Sequence, residues 1–168
     1  MNFIDTHAHL YSEQFKDDRN EVIENAIQNG VTKMLLPNIS SQYTTAMMEL
    51  CETYPDNCFP MMGLHPCDVK ADTIKKELLH VEEMLQKEKF IAIGEIGLDL
   101  YWDKTTLEIQ KEAFIYQIEL AKKHQLPIAI HVRDSFTEAI EIIEKLNDEN
   151  LSGVFHCFTG NEEDAKRV

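Results

Sequence analysis

Short apolar segments alternate with longer segments of helical periodicity along the sequence, and this alternation limits the folds open to the chain. The predicted strands are residues 3–10, 31–37, 58–65, 90–95, 127–131 and 153–158. Between them, apolar residues recur at helical spacing, which predicts helices near residues 22–27, 47–54, 74–85, 105–124, 136–146 and 162–167. Because the strands are apolar throughout rather than at alternate positions, the pattern predicts a parallel sheet covered by helices.

Side chains that bind metals or transfer protons fall at the ends of five of these strands. They are His9, His65, Glu95, His131 and His156. The carboxyl ends of all strands meet at one mouth in a β/α barrel, whereas they spread along a line in an open sheet. We therefore predict an α/β fold of the TIM-type (β/α)8 class. The 168 residues hold about six of its eight units, so we expect one C-terminally incomplete domain over residues 1–168.

The composition narrows the range of partners and compartments. The formal net charge is −14 and only three arginines occur, so the chain lacks a broad basic surface for nucleic acid. A polyanionic substrate would have to be held locally, by metal ions and a few cations. The four cysteines form no Cys-x-x-Cys pair, and the sequence shows neither a signal peptide nor a membrane-spanning apolar run. We expect a reduced, cytoplasmic setting away from the membrane.

Two histidines in the first predicted strand make a divalent metal ion the first functional hypothesis. Side chains alternate across a strand, so Asp5, His7 and His9 would share one face. Two neutral imidazoles aimed at one point form a chelate, with metal–nitrogen bonds of about 2.0–2.1 Å for zinc. The alternative for any single histidine at a strand end is a structural hydrogen bond.

Glu95 is the predicted centre of the site and the residue on which we expect catalysis to depend. It lies between Gly94 and Gly97, whose small size would let the backbone approach an ion or a substrate closely. A carboxylate at such a point can bridge two cations about 3.5–4 Å apart. Imidazoles from the first strand and from two later strands would then divide between the two ions.

Arg133 and His65 are the candidates for holding a substrate. Arg133 lies two residues after His131, and its planar guanidinium matches a phosphate or a carboxylate. The alternative for Arg133 is an ion pair with Asp99 or Asp134. His65 would position a phosphate or the scissile group, and its alternative is a hydrogen bond that caps the loop.

An aromatic pair, Tyr101 and Trp102, follows the fourth predicted strand. The two rings would either stack on a base or pack over the rim of the barrel, and we expect the packing role. Cys67 lies near the expected mouth, but a lone thiol is usually an incidental loop residue.

These motifs together resemble those of the TatD family of metal-dependent deoxyribonucleases. The matching strings are Asp5-Thr6-His7-Ala8-His9-Leu10, Gly63-Leu64-His65-Pro66, Gly94-Glu95-Ile96-Gly97-Leu98-Asp99, His131-Val132-Arg133 and His156-Cys157-Phe158-Thr159-Gly160. They occur in the family's order across the whole chain. The strings that contain Glu95 and His156 are the specific ones, because His-x-His alone indicates only the wider metallo-hydrolase superfamily.

The resemblance implies a role for each of these residues. His7 and His9 would bind one divalent ion, His131 and His156 would bind the other, and Glu95 would bridge the two. His65 and Arg133 would contact the substrate phosphate. We expect two ions of Mg²⁺ or Mn²⁺, with Zn²⁺ as the chemical alternative.

The implied reaction is hydrolysis of DNA by an activated water, with a preference for the 3′ end suggested by the family's exonuclease and repair associations. The family also uses an aspartate in a later Thr-Asp motif, which has no counterpart in these 168 residues. The first metal site would therefore be incomplete in this chain.

Two other functions stay open on the sequence alone. A metallo-hydrolase on the same barrel could act on an amide, a lactone or a phosphotriester. Many such enzymes bridge their metals with a modified lysine on the fourth strand, where this chain has Glu95 and places Lys89 at the opposite strand end. The chain could instead be an inactive fragment that self-associates through open barrel edges. No obligate protein partner is evident.

Overall fold

The computed structural model describes residues 2–168 of the chain. Its strands are β1 (Phe3–Asp5), β2 (Val31–Pro37), β3 (Cys58–Met61), β4 (Ile93–Asp99), β5 (Ile128–Arg133) and β6 (Gly153–Phe155). Its α-helices are α1 (Arg19–Gln28), α2 (Ser41–Thr53), α3 (Ile74–Lys87), α4 (Leu107–His124), α5 (Phe136–Leu146) and α6 (Glu162–Ala165). Each strand is followed by a helix, which confirms the predicted alternation.

The strands are parallel and lie side by side in the order of the sequence. β1, β2 and β3 form one sheet, and β4, β5 and β6 form a second. A parallel bridge between Met62 and Ile93 joins the two sheets. This is the order of six consecutive units of a β/α barrel, as predicted. An apolar groove of about 670 Å³, lined in part by Leu35, Ala129 and Phe155, lies along these strands.

The main core contains apolar side chains from both the helices and the strands. Apolar residues at helical spacing in α3, α4 and α5 are buried in it. Fully buried members of this core include Ile23, Leu36, Ile93, Phe114 and Ile118. Within residues 2–168, none of the helices is long and apolar enough to cross a membrane.

The first and third strands are shorter than predicted, so three of the predicted site residues lie in loops rather than in strands. β1 ends at Asp5, whose carboxylate accepts a hydrogen bond of 3.1 Å from the backbone N–H of His7 and turns the chain. His7 and His9 therefore lie after the strand rather than on one of its faces. β3 ends at Met61, so His65 lies in the loop that follows.

The fourth strand lies further along the chain than predicted. β4 continues to Asp99 because its second half pairs with β5, with Gly97 opposite His131 and Asp99 opposite Arg133. Glu95 is therefore inside a strand and not at its end. The sixth strand ends at Phe155, directly before the predicted ligand of that segment.

Candidate metal centre

The Glu95 carboxylate lies at the centre of a cluster of imidazoles. Its side chain is 3% exposed, and Oε2 lies 3.0 Å from Nε2 of His7. The same oxygen is 3.3 Å from Nε2 of His9 and 3.7 Å from Nε2 of His65. Oε1 is 2.9 Å from Nδ1 of His131. The fold thus brings together β4, β5 and the segments that follow β1 and β3.

Burial and hydrogen bonding act on the Glu95 carboxyl in opposite directions. Burial raises its pKa, but hydrogen bonds with His131, His7 and His9 outweigh burial and hold the pKa below its usual value. Glu95 is therefore ionised at neutral pH. A buried anionic oxygen surrounded by imidazole nitrogens is a suitable ligand for a divalent cation.

The glycines beside Glu95 allow β4 to pack closely against β5. A Cβ on Gly94 would come within 2.7 Å of the Ala129 Cβ, and one on Gly97 would clash with the His131 carbonyl oxygen. Gly97 also has a φ of +140°, which L side chains rarely adopt. The two glycines are therefore required by the packing of β4 on β5, and the close approach of this backbone to an ion or a substrate stays a prediction.

Tyr11 fixes the tautomer of His9. The Tyr11 hydroxyl donates to the Pro37 carbonyl at 2.5 Å, so its oxygen accepts from Nδ1–H of His9 at 2.8 Å. Nε2 of His9 is then the nitrogen that faces the cluster, 3.3 Å from Oε2 of Glu95. An imidazole held by an outer hydrogen bond is typical of metal ligands.

His65 has the opposite tautomer. Its Nδ1 accepts a hydrogen bond of 3.1 Å from the backbone N–H of Cys67. Burial lowers the pKa of His65 to about 4, so the ring is neutral at neutral pH and carries its proton on Nε2. His65 therefore presents an N–H donor toward Glu95, which fits a contact with a substrate oxygen.

A buried glutamine of α4 holds the segment that carries His65. The Gln117 side chain accepts from the Leu64 N–H at 2.7 Å and donates to the Leu64 carbonyl at 3.2 Å. Both polar groups of one peptide unit are thereby satisfied away from water. The position of His65 is set by α4 as well as by its own loop.

His131 lies between two carboxylates. Its Nδ1 is 2.9 Å from Oε1 of Glu95, and its Nε2 is 2.9 Å from Oδ2 of Asp99. Burial lowers the pKa of His131, but its hydrogen bonds to Glu95 and Asp99 outweigh burial and raise it overall. Asp99 accepts from Nε2–H, so Nδ1 is the nitrogen that would release its proton to bind an ion beside Glu95.

A second buried glutamine of α4 holds Asp99. The Gln110 side chain accepts from the Asp99 N–H at 2.8 Å and donates to the Asp99 carbonyl at 3.0 Å. This is the same clamp that Gln117 forms one heptad later in the helix. α4 thus fixes the backbone at two points of the cluster.

His156 stacks on His7 beside the cluster. The ring centroids are 3.4 Å apart and the planes differ by 11°. Its backbone N–H donates to the Ile130 carbonyl at 2.8 Å, which keeps the segment on β5. Within residues 2–168 its side chain has no hydrogen bond to Glu95. Its role as a metal ligand stays a prediction.

Arg133 lies over an aromatic ring instead of pairing with an acid. Its guanidinium carbon is 3.5 Å from the centroid of the Tyr101 ring. Neither of the two considered ion pairs forms within residues 2–168, and Asp99 contacts His131 instead. The charge of Arg133 is therefore available to an anionic ligand.

Within residues 2–168, two groups of donor atoms have the spacing needed to hold a divalent ion. One consists of His7, His9 and Glu95, and the other of His65, Glu95 and His131, with ligand atoms within 4.8 Å of one another in each group. Imidazole nitrogens suit zinc, and carboxylates suit Mg²⁺ and Mn²⁺. The shared carboxylate fits the predicted bridging role. The second group contains His65, for which the sequence predicted a substrate contact, and not His156.

Sequence reasoning does not identify the residues that orient this cluster. They are Tyr11, Asp99, Gln110 and Gln117. The two glutamines do leave a signal, because polar side chains seven residues apart interrupt the buried face of α4. Asp99 enters the sequence analysis as a partner for Arg133 and as the last residue of a family motif, but not as the residue that orients His131.

The comparison with protein families agrees with this geometry. The family model for TatD related DNase matches residues 4–168. The chain belongs to this family. The resemblance found in its motifs is thus confirmed over nearly the whole sequence.

Curated relatives of this TatD-family chain carry hydrolase and nuclease names. The "Uncharacterized metal-dependent hydrolase YabD" of Bacillus subtilis (strain 168) is 41% identical over 162 residues, which cover 96% of this chain and 63% of the relative. The "3′-5′ ssDNA/RNA exonuclease TatD" of Pectobacterium carotovorum subsp. carotovorum (strain PC1) is 33% identical over 159 residues, covering 94% of this chain and 60% of the relative. The chain therefore spans less than two thirds of their length.

Solved structures of TatD homologues have the same fold. YjjV from Escherichia coli K12 superposes with a TM-score of 0.87 at 30% identity, covering 98% of this chain and 63% of that structure. A TatD family hydrolase from Entamoeba histolytica superposes with a TM-score of 0.84 at 25% identity, covering 99% and 62%. The predicted barrel class is confirmed for the part of the barrel present here.

Proposed function

We propose that this chain carries the metal centre of a hydrolase that cleaves phosphodiester bonds of DNA from the 3′ end. The observation that carries the proposal is the buried Glu95 carboxylate with imidazoles of four histidines around its two oxygens. The names of the relatives support it, since they include a metal-dependent hydrolase and a 3′-5′ exonuclease. Four free thiols support a reducing, cytoplasmic setting as part of the proposal.

Two divalent ions are part of the proposal. His7 and His9 would hold one ion, His131 and His156 would hold the other, and Glu95 would serve both. Bound divalent ions supply an activated water at neutral pH and stabilise the charge that develops on the phosphodiester oxygens. Mg²⁺ or Mn²⁺ is the expected metal, and Zn²⁺ is the alternative because of the imidazole nitrogens.

The remaining polar residues bind and orient the substrate. His65 donates from Nε2–H to a phosphate oxygen, because its Nδ1 is occupied by the Cys67 N–H. Arg133 holds a second anionic oxygen with its planar guanidinium. Asp99 keeps the proton of His131 on Nε2, so that Nδ1 faces Glu95.

Hydrolysis of a short single-stranded DNA tests the proposal. We expect cleavage with Mn²⁺ or Mg²⁺, no cleavage with a chelator, and no cleavage by a Glu95→Ala variant. An oligonucleotide blocked at its 3′ end should be degraded much more slowly than the free form. Equal rates on the two oligonucleotides would reject cleavage from the 3′ end. No cleavage by a folded, metal-loaded sample would reject nuclease activity of this chain alone.

Self-association of the chain is a further proposal, and the exposed edges of the sheet support it. Phe3 and Ile4 on β1 and Val154 on β6 are exposed apolar residues. Each edge strand also presents unpaired backbone groups that can pair with another chain. We expect size-exclusion chromatography to show larger species as concentration rises, and an Ile4→Lys variant to shift the balance toward monomer. A monomer at every concentration would contradict this expectation.

A further inference from the structure

Two aromatic side chains extend into solvent directly after β4. The Tyr101 ring is 51% exposed and the Trp102 ring is 72% exposed. Their centroids are 4.8 Å apart and the planes are perpendicular, at 90°. The expectation that these rings pack over the rim of the barrel is therefore wrong for Trp102, whose surface is mostly free. A large free aromatic surface next to a polar site suits a ligand with a flat apolar face.

The backbone of this aromatic pair is held by a residue of the metal centre. Oδ1 of Asp99 accepts from the N–H of Tyr101 at 2.9 Å and from the N–H of Trp102 at 3.3 Å. Oδ2 of the same carboxylate is 2.9 Å from Nε2 of His131. One carboxylate thus orients a candidate metal ligand and anchors the two rings, so the rings lie at a fixed place beside the cluster.

A cation lies against the same rings. The Arg133 guanidinium carbon is 3.5 Å from the Tyr101 centroid and 5.7 Å from the Trp102 centroid. Within residues 2–168, Arg133 has no acidic partner, although the sequence contains 30 acidic residues. A guanidinium that lies over a tyrosine ring keeps the N–H groups at its own edges free, and these groups can bind a phosphate.

Trp102 also lines a small groove of about 120 Å³ together with Lys70, Asp99 and Asp103. The cation that lies against the aromatic pair is Arg133, in a chain whose formal net charge is −14. A phosphate beside these rings would therefore be held by Arg133.

We propose that Trp102 stacks on an unpaired nucleobase next to the phosphate held by Arg133, whose guanidinium lies over Tyr101. The proposal rests on the proposed nuclease function and adds to it a position that binds a base of the substrate. Aromatic platforms combined with cations bind single strands with little sequence preference, because every base has a π-face. A duplex keeps its bases stacked inside and presents mainly phosphates, for which this acidic chain has no broad basic surface.

Trp102 is the only tryptophan of the sequence, so its fluorescence reports directly on stacking. The probes are a phosphorothioate hexadeoxyadenylate and an oligomer of the same length in which every base is absent. We expect the first to quench Trp102 fluorescence and the second to leave it unchanged. In fluorescence anisotropy with labelled probes, Trp102→Ala should weaken binding of the base-containing oligomer roughly 5- to 150-fold, the range that follows from losing one stacked base.

Two control variants show whether the loss of binding is specific to the aromatic face of Trp102. Trp102→Phe keeps an aromatic face and should retain most of the binding. Tyr116→Ala removes an exposed aromatic residue of α4, whose hydroxyl donates to Glu82, and should leave binding unchanged. Equal binding of the base-containing and abasic oligomers by the unmodified chain would overturn the proposal, as would binding without a change in Trp102 fluorescence.

A separate measurement tests the proposed nuclease function. An abasic phosphodiester oligomer with normal oxygens reports metal-dependent hydrolysis by the unmodified chain without any base to stack. Hydrolysis of this oligomer with no quenching by hexadeoxyadenylate would overturn the stacking proposal alone. Quenching without hydrolysis of either oligomer would support stacking and count against the nuclease function.

Discussion

Replacing Glu95 by glutamine is expected to lower the affinity of the chain for Mn²⁺ by at least about 100-fold. Removing a residue that only orients a metal ligand lowers metal affinity by up to about 100-fold, and losing the ligand itself should cost at least as much. Glutamine has nearly the same shape but no charge, and it places an N–H₂ group among imidazole nitrogens. Because both donor groups share Glu95, one substitution weakens both. DNA hydrolysis should be lost together with metal binding.

Isothermal titration calorimetry of Mn²⁺ binding checks this expectation. Glu82→Gln is the matched control, because Glu82 is a partly exposed carboxylate of α3 that pairs with Lys123 away from the cluster. It should bind Mn²⁺ like the unmodified chain, and circular dichroism should show that both variants are folded. An unchanged Mn²⁺ affinity in Glu95→Gln would reject Glu95 as a ligand.

Tyr11→Phe provides a graded comparison in the same experiment. The phenyl ring keeps the packing of Tyr11, but the hydroxyl that holds Nδ1–H of His9 is lost. An outer partner of this kind contributes about 10- to 100-fold to metal affinity. We expect Tyr11→Phe to bind Mn²⁺ more weakly than the unmodified chain and more tightly than Glu95→Gln.

The periodicity of the sequence predicts the elements well where local pattern alone determines them. β2 covers Val31–Pro37 and α5 covers Phe136–Leu146, as predicted. α6 begins at the predicted position, and the side chain of Asn161 before it accepts from two backbone N–H groups of the helix. These features depend on neighbours in the sequence, which a single sequence contains.

Strand ends that depend on contacts between segments are not predictable in the same way. β1 ends early because of one hydrogen bond from His7 to Asp5, and β4 extends because Gly97 fits against the His131 carbonyl. Neither contact has a periodic signature. The proposal that residues 1–168 are one incomplete domain stays a prediction.

The sequence predicts which side chains come together better than how they are arranged. Polar residues at strand ends indicate convergence, and four of the histidines do meet at Glu95. The tautomers of His9 and His65 follow from Tyr11 and Cys67, which are contacts that appear only in three dimensions. Asp99 reaches His131 because of the pairing between β4 and β5.

Gly97→Ala is expected to destabilise the fold by about 3 kcal/mol, from backbone strain and overpacking of roughly 1–3 kcal/mol each. The φ of Gly97 is +140°, and an added Cβ would clash with the His131 carbonyl oxygen, so β4 and β5 would have to separate. For a chain of this size the melting temperature should fall by roughly 6–12 °C. Differential scanning calorimetry measures this shift, and Mn²⁺ affinity should fall as well, because His131 moves away from Glu95.

Gly30→Ala is the control that separates backbone strain from overpacking as causes of the expected loss of stability. Gly30 follows α1 and also has a positive φ, of 90°, but no carbonyl of β5 lies beside it. Its substitution should cost about 1 kcal/mol through backbone strain and leave Mn²⁺ binding unchanged. Equal losses of stability in the two variants would mean that strain alone sets the requirement for Gly97. Mn²⁺ affinity preserved in Gly97→Ala would mean that the close packing of β4 on β5 does not position His131.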